Sequence, residues 1–321
     1  MLNFKNNQNK KSNFIFLIIP KLNIKLLITL ICFLFIGISI YLNFEELANQ
    51  VITFNVLIWL FYGIIFSLFS IIINAYAWKL LINSIGCDSN KLNIFKIFLN
   101  TNIYKYLPGG VWHFISRYNT LKVKFSLEKS LESILLEPLL MLVAGLIFIP
   151  FKGFNIVFFI LCWSSTLVFL KGFRKFIINK LKTIKSNIFT SNNNVNDIYL
   201  VQNKQDYPYD IVYPYKPLLV EILFILFRFF GFLCCMNAFS IGSLISPVEL
   251  ISSFSLAWVI GLIVPAAPGG LGVFESVILF ALGSEFPEAP LLASLLCYRL
   301  VSTISDLLSA FIYPVRRLLK I

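Results

Sequence analysis

Arg117, Glu137, Glu221, Arg228, Glu275, Arg299 and Asp306 all fall within apolar stretches of the chain. A charge at the centre of a bilayer costs about 2.5–3.5 kcal/mol on insertion scales. Residues of this kind therefore pair with one another or face water, and they mark paths for ions or polar groups. Arginines present charged N–H donors that suit phosphate-like anions. The carboxylates balance those cations, or accept amines or protons. Hydrolytic or transfer chemistry is a poorer fit. The sequence offers no carboxylate pair in an aqueous loop and no Walker A loop for a nucleotide.

The elements that must hold these groups are membrane helices. Of the 321 residues, 58% are hydrophobic and only 13% are charged, against about 25% charged in a soluble domain. The mean hydropathy is +0.83. Several apolar runs approach the roughly 20 residues needed to cross a bilayer, and they lack the alternation of strands. The net charge of +12 sits mostly between the apolar runs. That pattern follows the positive-inside bias and attraction to anionic headgroups, so no nucleic-acid partner is expected. Cys32, Cys87, Cys162, Cys234, Cys235 and Cys297 form no C-x-x-C motif, and His113 is the sole histidine. They supply no ligand set for a metal or haem, and no cofactor is expected. The cysteines read as small buried hydrophobes.

Residues 26–42 follow a lysine-rich start and read as a retained signal-anchor helix, with the N-terminus cytoplasmic. Further spans are expected over 56–82, 130–150, 154–170, 217–241 and 289–313. Basic residues after Leu170 and near the C-terminus place residues 1–21, 172–216 and 314–321 in the cytoplasm, and residues 43–52 and 242–249 outside. The 172–216 segment is the one long polar stretch. It reads as a flexible cytoplasmic loop ending in an interfacial tyrosine belt, within a single integral membrane domain of residues 1–321. The expected location is the cell (inner) membrane.

Two further stretches, 94–118 and 250–283, are each flanked alike on both sides. They read as re-entrant hairpins, broken at LPGGVWHF (107–114) and APGGLGVF (267–274). Pro108, Gly109 and Gly110 mark the first break, and Pro268, Gly269, Gly270 and Gly272 the second. An ion follows each break, Arg117 and Glu275, and each following span carries its own, Glu137 and Arg299. The halves enter from opposite sides, as in an inverted-topology repeat with a midplane binding site; chance similarity is the alternative. Broken helices in lipid leave backbone groups that need a protein or wet surrounding. A half-helix beginning after Gly270 aims free N–H groups at the break, and the dipole favours an acid such as Glu275 near its start. The expected fold is thus an all-α polytopic membrane protein with about six full spans and two broken hairpins.

Arg299, Ser302, Thr303, Asp306 and Ser309 form one polar stripe on the last span. Ser67, Ser70 and Asn74 share a face of the second, and Glu221 and Arg228 share one of the fifth. Interhelical bonding is the expected role of the Ser and Asn positions. For Arg228, Glu275 and Arg299 a functional role is favoured, because ions are an expensive glue, and Glu275 and Arg299 are expected to pair. His113 is expected to be a packed interfacial histidine.

KYLPGGVWHFISR (105–117), PAAPGGLGVFES (265–276) and CYRLVSTISDLL (297–308) resemble the lysylphosphatidylglycerol synthase transmembrane-region family. In that family the last motif typically reads Pro-Gly-Gly-Leu-Gly followed shortly by Glu, matched here by Pro268, Gly269, Gly270, Leu271, Gly272 and Glu275. The family's arginines after the first motif and on the last helix match Arg117 and Arg299. The resemblance spans about residues 20–315 and implies a flippase-like lipid translocator. The bifunctional relatives carry an aminoacyl-transferase domain, which is not expected here, so no enzymatic activity is carried over. On this reading Arg117, Arg228 and Arg299 hold a polar, phosphate-bearing headgroup, balanced by Glu137, Glu275 and Asp306. The expected partners are membrane lipids and a lipid-modifying enzyme. The alternatives are a transporter of a small water-soluble solute, an integral-membrane enzyme of lipid or lipid-linked sugar modification, and an accessory subunit of such an enzyme.

Overall fold

The computed structural model describes residue 41 and residues 53–107, 110–153, 156–170, 213–264 and 272–311. These residues are helical throughout, with no strand among them. The α-helices are α1 (Phe54–Ser84), α2 (Ile94–Asn102), α3 (Trp112–Leu121), α4 (Leu127–Phe148), α5 (Ile156–Ser164), α6 (Tyr215–Ala238), α7 (Pro247–Ile263), α8 (Val273–Leu282) and α9 (Glu288–Phe311). Four of them, α1, α4, α6 and α9, are long and apolar enough to cross a membrane. The expected first span, residues 26–42, lies almost wholly outside the described residues. So do Pro108, Gly109, Pro268, Gly269, Gly270 and most of the 172–216 loop, although α6 already begins within that segment at Tyr215.

Local chemistry sets the helix starts. Thr53, Asn93, Ser126 and Ser246 accept hydrogen bonds from the backbone N–H of Val56, Lys96, Lys129 and Glu249, satisfying first-turn donors that have no carbonyl partner. Pro247 occupies the first turn of α7, where a missing N–H costs nothing. The expected span over 154–170 is shorter: α5 ends at Ser164 and a 3₁₀ turn runs over Ser165–Phe169. Ser164, Ser165 and Thr166 each donate a hydroxyl to the carbonyl three residues back, and local bonding of that kind favours the tighter turn.

The bundle is built around α1 and α6, which pack most extensively. They run antiparallel: Gly63 lies against Gly231, and Phe66 and Phe69 pack on Phe230 and Phe227. A Cβ at Gly231 would sit 2.6 Å from Ser67 Oγ, so small residues set this close approach. The other contacts keep their form when the halves α1–α4 and α6–α9 are exchanged. The second helix of each half packs on the last helix of the other, α2 on α9 and α7 on α4, and the first does likewise, α1 on α9 and α6 on α4. An aromatic cluster closes the α6–α9 side, with Phe232 5.5 Å from both Phe254 and Tyr298 and 6.1 Å from Phe274 between ring centroids.

The buried cysteines Cys162, Cys234 and Cys235 are free thiols within the packing. The serine stripes behave differently from the expected interhelical glue. Ser70, Ser302 and Ser309 donate to carbonyls of their own helices, because in apolar surroundings the nearest acceptor lies one turn back. Ser305, outside the expected stripe, also donates to its own helix, to Val301 O at 2.7 Å, with Ile64 O of α1 farther away at 3.2 Å.

Candidate functional site

A cavity of about 370 Å³ lies between the two broken segments. Arg117, Glu137, Arg228, Arg299 and Asp306 line it, together with Lys105, and Glu275 stands one contact behind. The site residues expected from sequence therefore gather in one place. The wall between the charges is aromatic, with Phe98, Phe224, Trp258 and Phe274.

The helix after each break delivers one ion to the next long helix. Arg117 on α3 gives Nη1 to both oxygens of Glu137 on α4, at 2.5 and 2.6 Å, and Nε to Thr101 Oγ1 at 3.0 Å. Its guanidinium lies 3.9 Å from the Phe98 ring centroid and 5.1 Å from that of Trp78. This enclosure leaves the side chain 1% exposed. Pro138 follows Glu137 inside α4, removing one backbone bond beside the pair.

At the second break the signs are reversed. Glu275 on α8 pairs with Arg299 on α9 through Arg299 Nε, with Nη2 3.1 Å from its Oε2. The pair expected from sequence is thus formed. Glu275 also accepts the Gly272 N–H at 2.9 Å, so the acid closes the first turn of its own helix. That helix begins at Val273, later than the expected start after Gly270. Gly272 holds φ at 90° immediately before it, and Gly110 holds +65° ahead of α3. Both values suit glycine and strain other residues.

Asp306 is the junction between the halves. It is 1% exposed and takes Lys105 Nζ at 2.7 Å, Tyr106 OH at 2.6 Å and Asn102 Nδ2 at 2.8 Å, all from the first broken segment. Arg228 Nη2 of α6 lies 3.6 Å away. Sequence reasoning missed Lys105, Tyr106 and Asn102. The signal was available in their spacing: positions 102, 105 and 106 recur as i, i+3 and i+4 and lead into the Pro-Gly-Gly.

Arg228 is buried with its guanidinium 5.9 Å from the ring centroids of both Phe224 and Trp258. Its Nε has no acceptor among the described residues, nor do Trp258 Nε1 and Tyr298 OH. Buried donors are ordinarily paired. Three of them belong to residues that line one cavity, and a ligand rich in acceptor oxygens would suit that lining once the side chains turn toward it. His113 also lines the cavity, with its ring packed against Phe114 at 3.8 Å and its buried Nδ1 without a partner among the described residues.

The profile of one protein family, described as the lysylphosphatidylglycerol synthase TM region, matches residues 23–310. No curated protein matches the chain.

Proposed function

The chain belongs to the lysylphosphatidylglycerol synthase TM-region family, the non-catalytic flippase-like part of such proteins, and on that premise we propose that it moves a lipid with a phosphate-bearing headgroup between leaflets. The observation that carries this reading is the set of unpaired donors. Arg228, Trp258 and Tyr298, whose Nε, Nε1 and OH have no partner among the described residues, line a cavity that also holds Lys105 and two paired arginines. A phosphodiester offers acceptor oxygens and one negative charge to such a site, and the aromatic walls accept its apolar backbone. The crossing of the membrane by residues 26–42 and by the shorter 156–169 segment beside the four long helices, the two re-entrant hairpins and their inverted arrangement belong to this proposal. It is supported by the exchange of contacts between the halves and by two ion pairs of opposite polarity at matching places. So does a cell-membrane location with both termini cytoplasmic, which rests on the loop charges. Purified protein in vesicles containing fluorescent phosphatidylglycerol should carry the label across. Label confined to its original leaflet beside correctly folded protein would remove the reading.

A further inference from the structure

Glu221 of α6 does not line the cavity, yet it is 1% exposed and its Oε2 has no hydrogen-bond donor among the described residues. The charges whose fields reach it are Glu137 and Arg117. Arg117 already spends Nη1 on both oxygens of Glu137 and Nε on Thr101. The donors of Arg117 thus go to Glu137 and Thr101, and none reaches Glu221 Oε2.

Among the described residues the remaining neighbours add no cation at this level; on α4, the buried Lys129 gives Nζ to Gly86 O about two turns before Glu137, with the buried Glu132 between them. On α1, Phe66 packs against Phe227 and Phe230. Eight residues on is Asn74, and six to nine residues back along the antiparallel α6 is Glu221, so the two lie at one level. Asn74 donates Nδ2 weakly to Met141 Sδ at 3.9 Å, one turn from Glu137, and its Oδ1 also lacks a donor. Tyr76 and Lys79 of α1 turn to Phe95 instead. The one charged residue of α7 is Glu249 in its first turn. On α9, Asp306 lies at the level of Arg228, two turns along α6, near Tyr298 and Arg299. On α6 itself Lys216 lies in the first turn.

Two buried acceptors at one level want a hydrogen, and a proton on Glu221 supplies it. The charges around the cavity make that proton consequential. Lys105, Arg117, Arg228 and Arg299 are matched by Glu137, Glu221, Glu275 and Asp306 when all are ionised. Protonating Glu221 leaves one positive charge in excess, which a single phosphodiester neutralises. We propose that Glu221 is the proton-binding site of a lipid–proton symport: the carboxylate takes up one proton when the anionic headgroup enters and releases it when the headgroup leaves. Proton and headgroup then favour each other by the same factor, and the loaded and empty sites carry equal charge. The proposal rests on the lipid-transport reading above.

The test uses the full chain in vesicles with fluorescent phosphatidylglycerol and a trapped pH dye. A gradient of one pH unit should drive about a tenfold leaflet asymmetry of the lipid for one proton per lipid, with proton influx tracking lipid movement. Glu221→Gln should still equilibrate the lipid but lose both the asymmetry and the proton flux. Wild-type lipid movement that ignores the gradient and carries no proton would overturn the proposal while leaving the transport reading intact. A Glu221→Gln protein that keeps the asymmetry would overturn it too. No lipid movement by the wild type removes the transport reading and this proposal with it. Should the Gln variant fail to fold, the wild-type proton-to-lipid ratio decides: a ratio near one supports the symport, and zero overturns it.

Discussion

Asp306 holds the first broken segment to the last helix, and among the described residues it is the carboxylate that Lys105 and Arg228 share. Removing its charge leaves the buried Arg228 and the partly exposed Lys105 without their anion; breaking a fully buried pair costs about 3–5 kcal/mol, and the exposed part of the lysine lowers that. Asp306→Asn should therefore lower the thermal midpoint in detergent sharply, and adding Lys105→Met should recover part of the loss. A midpoint unchanged in Asp306→Asn would mean that the junction contributes nothing. The Glu275–Arg299 pair allows a finer dissection by a double-mutant cycle. Either Glu275→Gln or Arg299→Gln alone should destabilise the protein. The double variant should regain its stability but not its transport; normal transport by the double variant would reduce the pair to a structural clamp. These ions were legible because each stands alone in an apolar run. Lys105 was not, since a lysine beside tyrosines reads as an ordinary interfacial residue, and only the fold brings it across to a carboxylate on α9.

At the scale of elements, close helix approach depends on positions without a side chain. A Cβ at Gly145 of α4 would lie 2.6 Å from Val259 Cγ2 of α7, and both residues are buried. Gly145→Ala should cost about 1–3 kcal/mol through overpacking, and Val259→Ala should relieve part of it. Thermal unfolding of the two single variants and the double variant checks this; strictly additive losses would mean that the two residues do not meet. The long helices were legible to within a few residues, since length and apolarity are read directly from composition. The 3₁₀ turn over Ser165–Phe169 was not, because apolar count does not register hydroxyls competing for backbone carbonyls. The interhelical role of the serine stripes was misread for the same reason. The start of α8 depends on the positive φ of Gly272, and the motif offered three glycines among which the sequence gives no choice.

For the molecule as a whole, the proposed orientation rests on the loop charges. A single cysteine introduced at Ser191 should resist an impermeant external thiol reagent in intact cells, whereas one at Ser246 should react. Labelling at Ser191 from outside would invert the topology. The central claim is that the cavity carries a phosphate-bearing headgroup between leaflets, and Arg228 isolates it. Its Nε awaits an acceptor, while Asp306 keeps Lys105, Tyr106 and Asn102 without it. Arg228→Gln should therefore remain folded. The most direct measurement is the rate at which fluorescent phosphatidylglycerol changes leaflet in vesicles bearing wild-type or Arg228→Gln protein of equal thermal stability. The account predicts movement by the wild type and a loss of at least about tenfold in the variant, the equivalent of one charge-assisted hydrogen bond. Equal rates in the two proteins, or no movement by either, would contradict it.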